Sequence, residues 1–137
     1  MKREILFRGK RIDNGEWVYG YFYEECGATY IIEDRQKETM LNRNTPNVII
    51  PETIGQFTGL TDKNGVKVFE ADVLSSKSPY RYYVKYKDTA FYVYHCEIKD
   101  VDKTPYRWGL LSRFNELGIE VEVIGNIHDN PELLKEQ

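Results

Sequence analysis

The chain has 137 residues, enough for one domain or two small sub-barrels sharing a core. Its 41% hydrophobic and 30% charged residues are ordinary for a globular protein, and its 14% aromatic share, with eleven Tyr, favours pleated, half-buried β surfaces. A formal net charge of -3 argues against a protein that works by wrapping nucleic acid, and no stretch approaches the roughly 18–20 apolar residues of a membrane-spanning helix.

In chain order, Glu4–Ile12 ("EILFRGKRI") reads as a first strand and Asn14-Gly15 as a hairpin turn. "WVYGYFYE" alternates, with Trp17, Tyr19, Tyr21 and Tyr23 on one face and Val18, Gly20, Phe22 and Glu24 on the other. Both faces carry apolar residues, so partial cover of both is expected. Thr29–Glu33 and Asn47–Ile50 are short strands, separated by a polar loop from Asp34 to Asn44 in which "ETMLN" could pair. Pro51-Glu52 suits a single helical turn, limited by Gly55 and Gly59.

"VKVFEADVL" (Val66–Leu74) reads as one strand with a bend, followed by the break "SSKSPY". A long hairpin is expected around Lys87–Ala90. In its first arm Tyr80, Tyr82, Val84 and Tyr86 share one face, and Arg81, Tyr83, Lys85 and Lys87 share the other. After a solvated loop, "KDVDKTP", the stretch "YRWGLL" returns as strand. "SRFNEL" suits a short helix with Ser112 as N-cap and Gly118 as its stop. "IEVEVIGNI" is a final strand with Ile119, Val121 and Val123 on one face, and Asn130-Pro131 opens a short closing helix. Many short strands with one or two short helices predict a mainly β fold: an N-terminal β hairpin or meander (residues 1–57) packed on a C-terminal SH3-like small barrel (residues 58–137).

The acid-rich stretch "TGLTDKNGVKVFEADVL" fails as a calcium loop. Aligning Gly65 with the loop glycine places Asn64 and Asp62 at ligand positions but Leu60 first and Ala71 twelfth. Asp62, Asn64 and Gly65 instead form a turn sequence, Asp folding back on the backbone and Asn-Gly accepting positive φ. A phosphate loop is absent, because "GQFTGL" lacks G-K-[ST] and a following helix. Zinc would have to draw on Cys26, Cys96, His95 and His128 without any C-x-x-C pair. His95 and Cys96 are strand neighbours facing opposite ways, which weakens a nucleophile–base pair; a buried Cys96 and a surface His95 are expected. Glu70 and Asp72 share a strand face but belong to no recognisable constellation. No cofactor, metal or catalytic residue is therefore expected. The two cysteines and the opening residues, which lack the apolar run that export needs, suggest a cytoplasmic protein.

The hairpin face of Arg81, Tyr83, Lys85 and Lys87 could hold a single nucleic-acid strand by phosphate contact and base stacking. Tyr excess equally suits a protein interface or core, and the acidic balance favours that reading.

"LFRGKRIDNGEWVYGYF", "PETIGQFTGLTDKNGVKVFEADVL" and "VIGNIHDNPELL", in that order and spanning most of the chain, resemble the YopX family of phage and prophage proteins. The resemblance implies a β-rich, oligomeric protein with an SH3-type barrel in its C-terminal part, and it brings no catalytic residues. This chain departs from the family pattern at Glu70-Ala71-Asp72, where the family favours E-G-D. If that glycine serves a bend at positive φ, Ala71 needs another conformation or carries strain, and a local adjustment is expected. The expected function is a non-enzymatic binding or assembly module, with a nucleic-acid-binding accessory protein as the alternative. Its expected partners are further copies of itself and a host or phage protein, with no membrane contact.

Overall fold

Antiparallel pairing dominates the computed structural model, which describes residues 3–33 and 46–134. Contacts divide the chain into two compact units, residues 1–57 and 58–137. In the first, β1 (Phe7–Lys10), β2 (Trp17–Glu25), β3 (Ala28–Glu33) and β4 (Pro46–Ile49) pair in the order β4-β3-β2-β1, and β5 (Gly55–Thr61) begins beside β1. Asn14 Oδ1 accepts the Glu16 N–H at 2.9 Å and shapes the first turn. Cys26 and Gly27 close the β2–β3 hairpin with φ of 52° and 79°, the left-handed pair that matches strand twist.

Val18, Ile31 and Ile49 form the core of this unit, with Ile54 against them. Gly9 makes that core possible, since a Cβ there would lie 2.5 Å from Ile49 Cγ2. The turn Pro51–Thr53 is a single 3-10 turn fixed by Thr53, whose Oγ1 donates to the Ile50 carbonyl at 2.6 Å and accepts the Lys10 N–H at 2.9 Å. The two faces of β2 are unequally covered: Val18 and Gly20 are buried, whereas Tyr19 and Tyr21 are 46% and 51% exposed. The pairing expected within "ETMLN" and the loop from Asp34 to Asn44 lie outside the described residues, as does the chain end after Leu134.

In the second unit, the end of β5 pairs with β6 (Lys67–Phe69). A five-stranded sheet follows, built from β7 (Asp72–Ser75), β8 (Arg81–Lys87), β9 (Ala90–Lys99), β10 (Pro105–Leu110) and β11 (Glu122–Asn126) in the order β10-β9-β8-β7-β11. The fold is thus mainly β. The order of the five-stranded sheet is open, with β10 and β11 at its edges, and these pairings draw no closed barrel. Val68, Leu74, Val84, Val93, Leu111 and Phe114 fill the core, with Tyr82 and Val121.

Several local features differ from the sequence expectation. Gly55–Thr61, read in the sequence only as the residues that limit the helical turn after Pro51, is a strand whose hydrogen bonds are supplied by β1 and β6. "VKVFEADVL" is two strands, not one, so Glu70 and Asp72 do not share a strand face. Ser112 is the first residue of α1 (Ser112–Glu116) and not its cap; the preceding Leu111 makes no side-chain capping bond. The helix stops as expected at Gly118 (φ 70°), in a Schellman arrangement in which Ile119 N–H donates to the Phe114 carbonyl at 2.8 Å and Gly118 N–H to that of Asn115 at 3.2 Å. Ile119 and Val121 precede β11, in the connection after α1, so strand alternation does not govern them: Ile119 is exposed while Val121 is buried, and a register shift interrupts β11 itself between Val123 and Gly125.

Two residues organise the turns of "TGLTDKNGVKVFEADVL". The buried carboxylate of Asp62 accepts the N–H groups of Asn64 and Val66 on Oδ1 at 2.8 and 2.9 Å and that of Val123 on Oδ2 at 3.0 Å. Burial pushes this carboxyl up, but the three amides outweigh it and hold it below its ordinary value of 3.8. Ala71 sits at φ 74°, a left-handed conformation that costs a residue with a Cβ roughly 1–2 kcal/mol. It is held there by its N–H on the Val84 carbonyl (2.8 Å) and its carbonyl on the Ile127 N–H (2.9 Å). The local adjustment expected at Ala71 is therefore not made, and the residue keeps the strained bend.

Replacing Ala71 with Gly is expected to raise unfolding stability by about 1 kcal/mol in urea denaturation, relief of strain outweighing the greater freedom of the unfolded glycine. An unchanged or lowered midpoint would contradict the strain. Asp62→Ala is expected to cost about 3 kcal/mol at neutral pH by orphaning three amides. Because the folded carboxyl lies below its unfolded value, its contribution is complete above about pH 4 and fades as pH falls through the folded value. The acid-side decline should accordingly be shallower in Asp62→Asn, measured by the same denaturation at descending pH.

Candidate binding groove

The hairpin turn sets the geometry of the most developed surface. Asp88 and Thr89, at φ of 50° and 68°, form a two-residue turn that places Lys87 opposite Ala90. From that register Tyr83 must face Tyr94, and β10 adds Arg107 opposite Tyr94. Alternation sends Tyr82 and Val84 into the core and leaves Tyr83, Lys85 and Lys87 on the outer face. The closing 3-10 turn, Pro131–Leu134, lies against β9.

The result is a shallow groove of about 800 Å3. Tyr83 and Tyr94 stack on its floor, centroids 5.6 Å apart and planes 23° from parallel. Lys85 Nζ is 6.0 Å from the Tyr94 ring, and the Arg107 guanidinium is 4.5 Å from that of Tyr92. Lys85, Lys87 and Arg107 share the walls with Asp88, Asp100 and Asp102, so positive and negative charges are equal in number. Burial, and then the neighbouring Tyr94 and Cys96, push the Tyr83 phenol above its ordinary value of 10.0, so it stays a neutral hydrogen-bonding group.

Of the four hairpin residues singled out in the sequence, the groove gathers Tyr83, Lys85 and Lys87 but not Arg81. Arg81 Nε donates to Glu97 Oε1 at 2.6 Å, and its backbone N–H donates to Oε2 at 3.2 Å, both groups being largely shielded. Its charge is already met within the sheet. Neither Tyr94 nor Arg107 was singled out in the sequence: a two-residue turn at Asp88-Thr89 is the signal that would have pointed to Tyr94, whereas register shifts separate Arg107 from its neighbours on β10. Asp62, Asn64 and Gly65 lie at the turn described above, with Asn64 Nδ2 within 3.5 Å of Glu122 Oε1.

His95 is buried, contrary to the surface position expected for it. It lies among the rings of Tyr80, Tyr82 and Tyr106, with centroids 5.5, 4.8 and 5.8 Å away. Burial holds its imidazole below 6.5 despite the opposing pull of Glu97, so it is neutral at pH 7, and its Nδ1 has no hydrogen-bond partner among the described residues. Cys96 is buried too. Its thiol is pushed up to about 12, first by burial and then by Glu97. Among the described residues no group of three or more His, Cys, Asp and Glu could hold a metal ion, and no helix is long and apolar enough to cross a membrane.

Cys26, exposed at its hairpin tip, is expected to react alone with a thiol reagent at pH 8, while Cys96 reacts only as fast as the protein unfolds. Two fast-reacting thiols in the native protein would contradict the burial of Cys96.

The crystal structure of protein EF1440 from Enterococcus faecalis is similar, with a TM-score of 0.53 and 25% sequence identity over 96% of this chain and 98% of that one. No curated protein matches the sequence. The family model described as YopX protein matches residues 6–135, nearly the whole chain. This protein belongs to the YopX family.

Proposed function

We propose that this protein is a non-enzymatic binding and assembly module of phage or prophage origin, acting in the host cytoplasm as a homo-oligomer. The observation that carries this reading is the groove over Tyr83 and Tyr94. Its floor is aromatic and its walls mix three cations with three carboxylates. Tyr and Arg are enriched where protein surfaces meet, and charges of both signs suit a partner surface that is itself mixed. The raised thiol of Cys96 and the buried, neutral His95 weigh against nucleophilic or acid–base chemistry on this hairpin.

A second reading is a nucleic-acid accessory role, favoured by the stacked Tyr pair flanked by Lys85 and Arg107. Asp88, Asp100 and Asp102 on the same walls would repel phosphates. The first reading predicts no binding of single-stranded DNA or RNA even at low salt. Salt-sensitive binding lost in Lys85→Glu would replace it with the second. Light scattering at several concentrations should give a mass above the 16.2 kDa of one chain, and a monomer throughout would remove the assembly role. Arg107→Glu should abolish capture of the partner from induced host cells and leave the thermal unfolding curve unchanged.

A further inference from the structure

A separate cleft of about 490 Å3 opens between the β7–β8 connection and the α1–β11 connection. Its inner wall is ring against ring. Trp108 and Phe114 centroids are 4.2 Å apart, and Tyr82 and Phe114 are 5.3 Å apart. Tyr82 and Phe114 are 5% and 3% exposed, so Trp108 and Ile119 present the accessible apolar surface.

The mouth is polar and carries both charges. Ser76, Lys77 and Ser78 line it on one connection and Glu120 on the other. Ser76 Oγ accepts the Ser78 N–H, and Ser78 Oγ accepts the Tyr80 N–H, each at 3.2 Å. These bonds occupy the hydroxyl oxygens as acceptors and leave each O–H free to donate. Lys77 and Glu120 are both exposed, and neither forms a salt bridge with any described residue. An ammonium and a carboxylate therefore line one aromatic cleft without neutralising each other.

We propose that this cleft binds a free α-amino acid with an aromatic or large apolar side chain. The side chain lies against Trp108 and Ile119. The ligand carboxylate meets the Lys77 ammonium and the Ser76 and Ser78 hydroxyls, and the ligand ammonium meets Glu120. The volume falls within the roughly 300–1,000 Å3 of small-molecule sites. A ligand with one charge leaves the other wall uncompensated, and a polyanion meets Glu120.

The test is titration of the isotope-labelled full chain followed at the Trp108 indole N–H, with the Trp17 indole as reference. L-phenylalanine should move the Trp108 signal saturably. N-acetyl-L-phenylalanine and L-phenylalanine amide, each lacking one charge, should bind about tenfold more weakly, and glycine should not bind. Lys77→Ala and Glu120→Gln should each lower phenylalanine affinity about tenfold with the Trp17 signal unmoved. No saturable movement of Trp108 up to about 20 mM phenylalanine would remove the site. Equal affinity for the acetylated or amidated form, or for either variant, would overturn the charge bridge.

Discussion

The carboxylate of Asp62 is the interaction on which the second unit turns. It gathers amides from its own turn and from Val123, some sixty positions further along, and so ties the β5–β6 hairpin to the last strand. A charge taken out of water needs such partners, because an unpaired buried carboxylate costs far more than the turn alone could offset. Around it, the Lys63 N–H meets the Val121 carbonyl at 3.0 Å, bringing Val121 into the core with Val68 and Phe114. The exposed Lys63–Glu122 pair at 3.7 Å adds little beside these desolvated bonds.

The strained Ala71 and the buried Asp72 do a second piece of organising. Asp72 Oδ2 accepts the Phe69 N–H at 2.7 Å, so the chain folds back on itself between β6 and β7. That reversal lets one apolar run supply Val68 and Leu74 to the same core from two different strands. The left-handed backbone at Ala71 is the cost, met by hydrogen bonds to Val84 and Ile127 that no extended conformation at this position would replace.

The hairpin β8–β9 then divides its side chains by polarity. Its inner face carries Tyr82 and Val84, and its outer face carries the stacked tyrosines among charges of both kinds. Arg81, one step outside the groove, shows why a basic stretch in a sequence is not a basic surface. Glu97 lies beside it on β9, and the two charges satisfy one another. Asp100 and Asp102 come from the connection that follows β9, and with Asp88 they change the groove from cationic to balanced.

Local signals in the sequence were enough to determine the mainly β class, a hairpin around Lys87–Ala90, the stop at Gly118 and the turn around Asp62, because turn chemistry and period-two alternation act over a few residues. Tertiary structure alone decided that Gly55–Thr61 is a strand, that Val66–Leu74 is two, that His95 is buried and that Arg107 joins Tyr83 and Tyr94. Each of these depends on partners distant in the chain: ladder bonds from β1 and β6, rings from two other segments, or a register that slips along β10. Such long-range pairing leaves no period in the residues themselves.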